Sequence, residues 1–286
     1  MEHTYRLVIG CPDKVGIVAR VSNFVAEHGG WLLEANYHSD PESGWFFMRN
    51  EIKASSLKIS LPEFRQAFAK IAEEYAMDWT IRDSNERQRM VILASHASHC
   101  IADILHRWHS NELFCDIPCV ISNHENLRSM VEWHGIPFHY VPVPKDPEGK
   151  VAAFAELNRQ VDAANADVIV LARYMQIMPP VLCQQYQGRM INIHHSFLPS
   201  FIGANPYQKA YERGVKLIGA TSHYVTENLD EGPIIEQDVI RVSHRHSKDD
   251  LVRLGKNVEQ SVLSRALRNH LEDRVIVHGN KTVVFD

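Results

Sequence analysis

Two short stretches in the second half of this 286-residue chain hold side chains able to do chemistry on a carbonyl. In MINIHHSFLP an apolar strand gives way to polar residues that include Asn192 and His194. Side chains alternate faces along a strand, so this amide and this imidazole project together. In GATSHYVTENLDEGPII, His223 closes a second strand, and Asp230 lies in a polar loop between Thr226 and the Gly232-Pro233 pair. Such a loop can swing a carboxylate back over the first strand. An amide N–H and a cationic imidazole both donate to an oxygen that turns negative when a carbonyl is attacked. A carboxylate orients the imidazole or takes the nucleophile's proton. Together the three point to acyl transfer. Singly, each has a plainer use: Asn and His at a strand end satisfy loop backbone, and Asp ahead of Gly is a common turn residue.

These residues need elements that bring strand ends to one crevice. Residues 5–9 read as a strand and 16–28 carry helical apolar spacing that Gly29-Gly30 stops. Residues 31–39 and 45–53 flank the turn-rich Pro41-Glu42-Ser43-Gly44 and read as an antiparallel hairpin. A second helix carries Phe64, Phe68, Ile71 and Tyr75 behind Pro62, and residues 78–82 return as a strand. The order βαββαβ is the split-βαβ, ferredoxin-like arrangement. The charged RDSNERQR at 82–89 has no large apolar residue and reads as a linker, so domains are expected at 1–84 and 85–286.

Beyond the linker, strand and helix alternate. Strands are predicted at 90–95, 117–122, 138–143, 167–172 and 190–194, with helices at 100–108, 127–134 and 151–163. This predicts an α/β fold with a doubly wound, mostly parallel sheet, in which ligands sit at the carboxyl ends of the strands. Asn192 and His194 fall at such an end. Strands at 217–225 and 234–242, a helix at 248–270 and a terminal strand pair at 275–278 and 282–285 complete the pattern. The segment around VPVPKDPEGK reads as a rigid loop.

Composition narrows the classes further. With 45% hydrophobic and 23% charged residues, the chain is an ordinary globular one. A net charge of -5 supplies no basic field for a nucleic-acid backbone. No apolar run approaches the roughly 18 residues that span a bilayer, and MEHTYRLVIG lacks the features of a signal peptide, so a cytoplasmic protein is expected. Five scattered cysteines predict reduced thiols rather than a disulfide framework.

The stretches NIHHSFLPSFIG and GATSHYVTENLDEGPII resemble the folate-dependent formyltransferase fold over roughly the last 200 residues. The segment CPDKVGIVARVSNFVAEHGG resembles the opening of an ACT domain, a regulatory ferredoxin-like module. This pairing resembles the formyltetrahydrofolate deformylases, hydrolases of a linear amide C–N bond that release formate from 10-formyltetrahydrofolate. The resemblance implies that Asn192, His194 and Asp230 are the catalytic set. On this view Asp230 activates or positions water with a pKa raised by partial burial, and Asn192 and His194 hold the formyl oxygen. It further implies a pterin pocket lined by Arg173, Tyr174, Met175, Gln176 and Ile177 and by the loop at 225–232, which opens with Val225 and Thr226. His223 would support it from behind. For Met175 and Ile177, plain core packing is the alternative.

Transferases acting on a phosphorylated amine carry a Gly-rich phosphate loop after the first strand of this domain. This chain has ASHASHC there, without glycine, which favours water as the acceptor. His195 stands where proline is common in the transferases; a role in ordering water or restricting the acceptor and a plain solvated loop position are both open. The alternatives to hydrolysis are formyl transfer to a small amine such as glycinamide ribonucleotide and a non-catalytic amino-acid or folate sensor. The resemblance also implies an amino-acid effector site at Asp13, Lys14, Val15 and Gly16, a homodimer or homotetramer, and a place in one-carbon metabolism and purine biosynthesis. No metal and no cofactor are expected; His96 and His99, or His106 and His109, have no accompanying zinc pattern.

Overall fold

The computed structural model describes residues 2–200 and 206–285; Phe201, Ile202 and Gly203 of the NIHHSFLPSFIG motif lie outside these. The chain divides into two compact units. The first contains β1 (Thr4–Pro12), α1 (Ile17–Glu27), β2 (Leu32–Asp40), β3 (Trp45–Lys53), α2 (Leu61–Glu74) and β4 (Asp78–Asp83). Its four strands form one antiparallel sheet in the order β2-β3-β1-β4, the ferredoxin-like arrangement. One face carries Leu7, Ile9, Met48 and Ile52, which pack with Phe24, Phe64 and Phe68 of the two helices. The second helix starts sharply because Ser60 and Glu63 form a reciprocal capping box, with Pro62 in the first turn.

The opposite sheet face is ionic. Arg49, 1% exposed, reaches Glu34 and Glu51, each at 3.2 Å, and donates to the Glu272 carbonyl. The first unit accordingly takes in residues 272–276 and 283–285 besides those up to Arg87. The expected second domain, 85–286, contains these C-terminal residues; the charges that draw them to the first unit are remote in sequence.

The second unit contains β5 (Gln88–Ala94), α3 (His99–His109), β6 (Cys115–Asp116), β7 (Val120–Ser122), α4 (Arg128–Trp133), β8 (Phe138–Tyr140), α5 (Pro147–Ala163) and β9 (Val168–Ala172). It continues with α6 (Pro180–Gln185), β10 (Met190–His194), α7 (Pro206–Arg213), β11 (Leu217–Tyr224), β12 (Ile234–Arg241) and α8 (Lys248–Leu271); the pair β13 (Val275–His278) and β14 (Lys281–Val284) follows, of which only Val277–Thr282 belongs to the second unit. The sheet order is β12-β11-β10-β9-β5-β7-β8, with β6 pairing β5 off this path. From β10 to β8 the pairs are parallel, whereas β11 and β12 extend the sheet antiparallel. VIVLA of β9 is buried throughout, as a central parallel strand requires. The chain runs outward from β5 to β8 and then crosses to β9 on the other flank, so a crevice opens where the strand order reverses.

Two local readings change. The fifth helix starts at Pro147 rather than within a rigid loop, because the Asp146 carboxylate caps the Gly149 N–H at 2.7 Å and proline suits a first helical turn. The sixth and seventh helices, too short for a clear apolar period, are additions. The long α8 packs across β10, β11 and β12. At Gly255 it passes Tyr207 so closely that a Cβ would stand 2.1 Å from the phenol oxygen. All five cysteines are buried thiols. Among the described residues no helix is long and apolar enough to cross a membrane.

Candidate active site

Asn192 and His194 close β10, and Asn192 lies directly across from His223 of the antiparallel neighbour β11. That register brings the Asn192 Nδ2 to 3.2 Å from the His223 Nε2. The His223 Nδ1 lies 2.9 Å from the Tyr224 carbonyl. A carbonyl only accepts, so Nδ1 carries the proton and, in the neutral ring, Nε2 accepts from the Asn192 amide. One Asn192 N–H is thus committed and the other remains for a ligand.

The loop after β11 returns Asp230 to these rings. Its backbone turns through the left-handed region, with φ 57 at Asp230 itself, a conformation aspartate tolerates better than most residues. Gly232 makes the return possible, since a Cβ there would stand 1.8 Å from the Tyr224 carbonyl oxygen. Asp230 Oδ2 lies 3.2 Å from His194 Nδ1, and Oδ1 lies 3.6 Å from His223 Nε2. Burial alone would raise the Asp230 carboxyl. The hydrogen bond and charge offered by His194, with the His223 ring beside it, outweigh it and hold the group well below the usual carboxylate range. The expectation of a raised pKa is therefore corrected: it counted burial without the two partners.

On its other side His194, 5% exposed, presents Nε2 as a buried atom with no hydrogen-bond partner. Buried polar atoms are almost always satisfied, so this Nε2 is available to a ligand in the cavity that His194 lines.

The cavity measures about 260 Å³, near the lower end of roughly 300 to 1,000 Å³ for ligand pockets. Asn192, His194 and Asp230 line it, as do Arg173, Tyr174, Met175, Gln176, Ile177, His223, Val225 and Thr226. Met175 and Ile177 are 57% and 68% exposed, so they wall the cavity and are not core. The wall segment is pinned from β5: Ser95 accepts from the Met175 N–H at 3.0 Å and donates to Asn123 at 2.6 Å. Sequence reasoning missed that role.

It also missed a buried network behind the cavity. Glu259 of α8, 1% exposed, receives His99 Nε2 at 2.7 Å and the Tyr207 hydroxyl at 2.5 Å, and Arg173 Nε lies 3.4 Å away. Burial would raise this carboxyl too, but these partners hold it low. His99, Cys100 and Glu259 are the group among the described residues with atoms close enough to share a metal ion. Arg173 on the same carboxylate opposes a second cation there. His96 instead stacks on His124, and His106 and His109 are exposed at the end of α3.

The loop proposed for an effector, Asp13 to Gly16, is exposed in the first unit. Gly16 takes a φ of 96 at the start of α1. Asp13 does not cap that helix: its carboxylate accepts from Ser39 and its N–H donates to the Gly44 carbonyl at 2.8 Å.

The profile of the formyl transferase family matches residues 88–267. The formyltetrahydrofolate deformylase of Bacillus subtilis is 51% identical over 287 aligned residues, covering 100% of this chain and 95% of that protein. A crystal structure of a formyltetrahydrofolate deformylase from Pseudomonas syringae pv. tomato superposes with a TM-score of 0.98 at 65% identity, over 100% of this chain and 95% of that one. Glycinamide ribonucleotide transformylase 1 from Symbiobacterium toebii matches 70% of this chain and 95% of its own, at a TM-score of 0.66 and 28% identity.

Proposed function

The chain belongs to the formyltetrahydrofolate deformylase family, and from that membership we propose how the cavity carries out the reaction. It hydrolyses 10-formyltetrahydrofolate to formate and tetrahydrofolate. The observation that carries the mechanism is the buried, unpartnered His194 Nε2 facing a cavity shared with Asn192 and Asp230.

The pterin end of the substrate lies between the segment Arg173 to Ile177 and the loop that begins at Val225 and Thr226. The formyl oxygen takes the uncommitted Asn192 N–H and the Nε2–H of a cationic His194. Asp230, held ionised, balances that cation and accepts one O–H of the attacking water. As the carbon becomes tetrahedral, its negative oxygen strengthens both donor bonds. Collapse breaks the C–N10 bond, and a proton passes to N10 through His194. Because Asp230 is a weak base, it acts by orientation and charge more than by removing the proton outright. His223 keeps Asn192 and Asp230 in register.

Several further properties belong to the same reading. The reaction needs no metal or cofactor. The first unit acts as an ACT-type regulatory domain that takes an amino acid, such as glycine or methionine, at Asp13 to Gly16. The protein works in the cytoplasm as a homodimer or homotetramer, and its formate serves purine biosynthesis.

Incubating the pure protein with 10-formyltetrahydrofolate and no amine tests the central claim. Formate equal to the tetrahydrofolate formed is the expected result. Reaction only after a ribonucleotide amine is added would select the transferase, and no reaction in either case the sensor.

A further inference from the structure

His195 directly follows β10, and its ring centroid lies 5.1 Å from that of His194 and 6.1 Å from that of Tyr207. It lines the catalytic cavity and also a neighbouring apolar cavity shared with Phe197, Tyr207 and Ile218, so it forms a partition between them. Among the described residues neither of its ring nitrogens has a hydrogen-bond partner. The nearby carboxylates are already engaged, Glu259 by His99, Tyr207 and Arg173, and Asp230 by His194 and His223. Burial, reinforced by the Arg173 guanidinium, pushes the His195 pKa down to about 3. The ring is therefore neutral, with one N–H to give and one lone pair to offer.

Resting on the hydrolase reading above, we propose that His195 positions the attacking water and, as the cavity wall, keeps an amine acceptor from the formyl carbon. A neutral imidazole offers water a lone pair on one nitrogen or an N–H on the other, and an ordered water needs two to four polar partners. His195 and the Asp230 carboxylate supply two. In the step itself the water oxygen bonds to the formyl carbon and the C–N10 bond breaks. One water proton ends on N10 and the other leaves as formate forms. An amine reaching the same carbon would form a C–N bond instead, its proton again going to N10. In this assignment His195 is a water-positioning and specificity-determining residue, next to Asn192 and His194 on one strand end.

Two substitutions in the full chain separate the two roles. His195→Leu keeps the wall but offers no hydrogen bond, and His195→Ala removes both. Each is assayed with 10-formyltetrahydrofolate alone and with hydroxylamine, reading formate, formyl hydroxamate and KM. Both variants are expected to lose kcat for formate on the order of 10²-fold, the cost of a misplaced reactant, at unchanged KM. Only His195→Ala is expected to divert formyl groups to hydroxylamine. Wild-type kcat in His195→Leu overturns the proposal, as does an unchanged product ratio in a folate-binding His195→Ala. Should His195→Ala fail to fold, His195→Leu decides alone. The hydrolase reading falls separately, if the unsubstituted protein makes no formate without amine.

Discussion

Replacing Asp230 by asparagine keeps the shape of the site and removes its charge. The new amide oxygen can still accept from His194 Nδ1, 3.2 Å from the present carboxylate, and the amide nitrogen can still face His223. What disappears is the attraction between the carboxylate and the imidazolium that supports the tetrahedral oxygen. At 3.2 Å and an effective dielectric of about 20, that attraction is about 5 kcal/mol. Part of it survives through the retained hydrogen bond, so the loss in transition-state stabilisation is roughly 3 to 5 kcal/mol, or about 10² to 10⁴ in rate. Formate release under saturating 10-formyltetrahydrofolate gives kcat, with tetrahydrofolate binding followed separately. The expected pattern is a collapse of kcat with binding nearly intact. An Asp230→Asn protein that keeps more than about a tenth of the wild-type kcat, against that expected loss, would refute the charge argument.

Further outcomes follow from the same contacts. Gly232→Ala forces the returning loop away from the Tyr224 carbonyl, which a Cβ would approach to 1.8 Å; a displacement of about 1 Å at Asp230 should cost about 10² in kcat, measured as formate release. Glu259→Leu strands Arg173 and His99 around a lost buried carboxylate and should lower stability by about 3 to 5 kcal/mol, read by urea denaturation. His195 is neutral in the fold down to a pKa of about 3, whereas the unfolded side chain titrates near about 6.5. Its contribution to stability is thus complete above that unfolded value and is lost as pH falls from about 6.5 toward 3. Between pH 7 and 5 the wild type should lose about 2 kcal/mol more than His195→Leu, and parallel urea midpoints for the two would contradict this.

Local periodicity made much of this molecule legible. Alternation along MINIH set Asn192 and His194 on one side of a strand, and unbroken apolar runs such as VIVLA marked the central strands. The turn chemistry of LDEGP marked Asp230 as a loop carboxylate; the family resemblance, not the spacing, named the eight wall residues that line one cavity with Asn192, His194 and Asp230. Glu259 was illegible because a lone Glu in an amphipathic helix reads as solvent-facing; its partners come from α3, α7 and the end of β9. The return of residues 272–276 to the first unit depends likewise on Arg49, a buried charge within β3. The sign of the Asp230 shift was a tertiary matter too. Burial and pairing oppose each other there, and only the folded distances to His194 and His223 decide which prevails. Spacing along a chain thus sets which side chains share a face, whereas charge state and partnership depend on contacts between segments that no short-range period encodes.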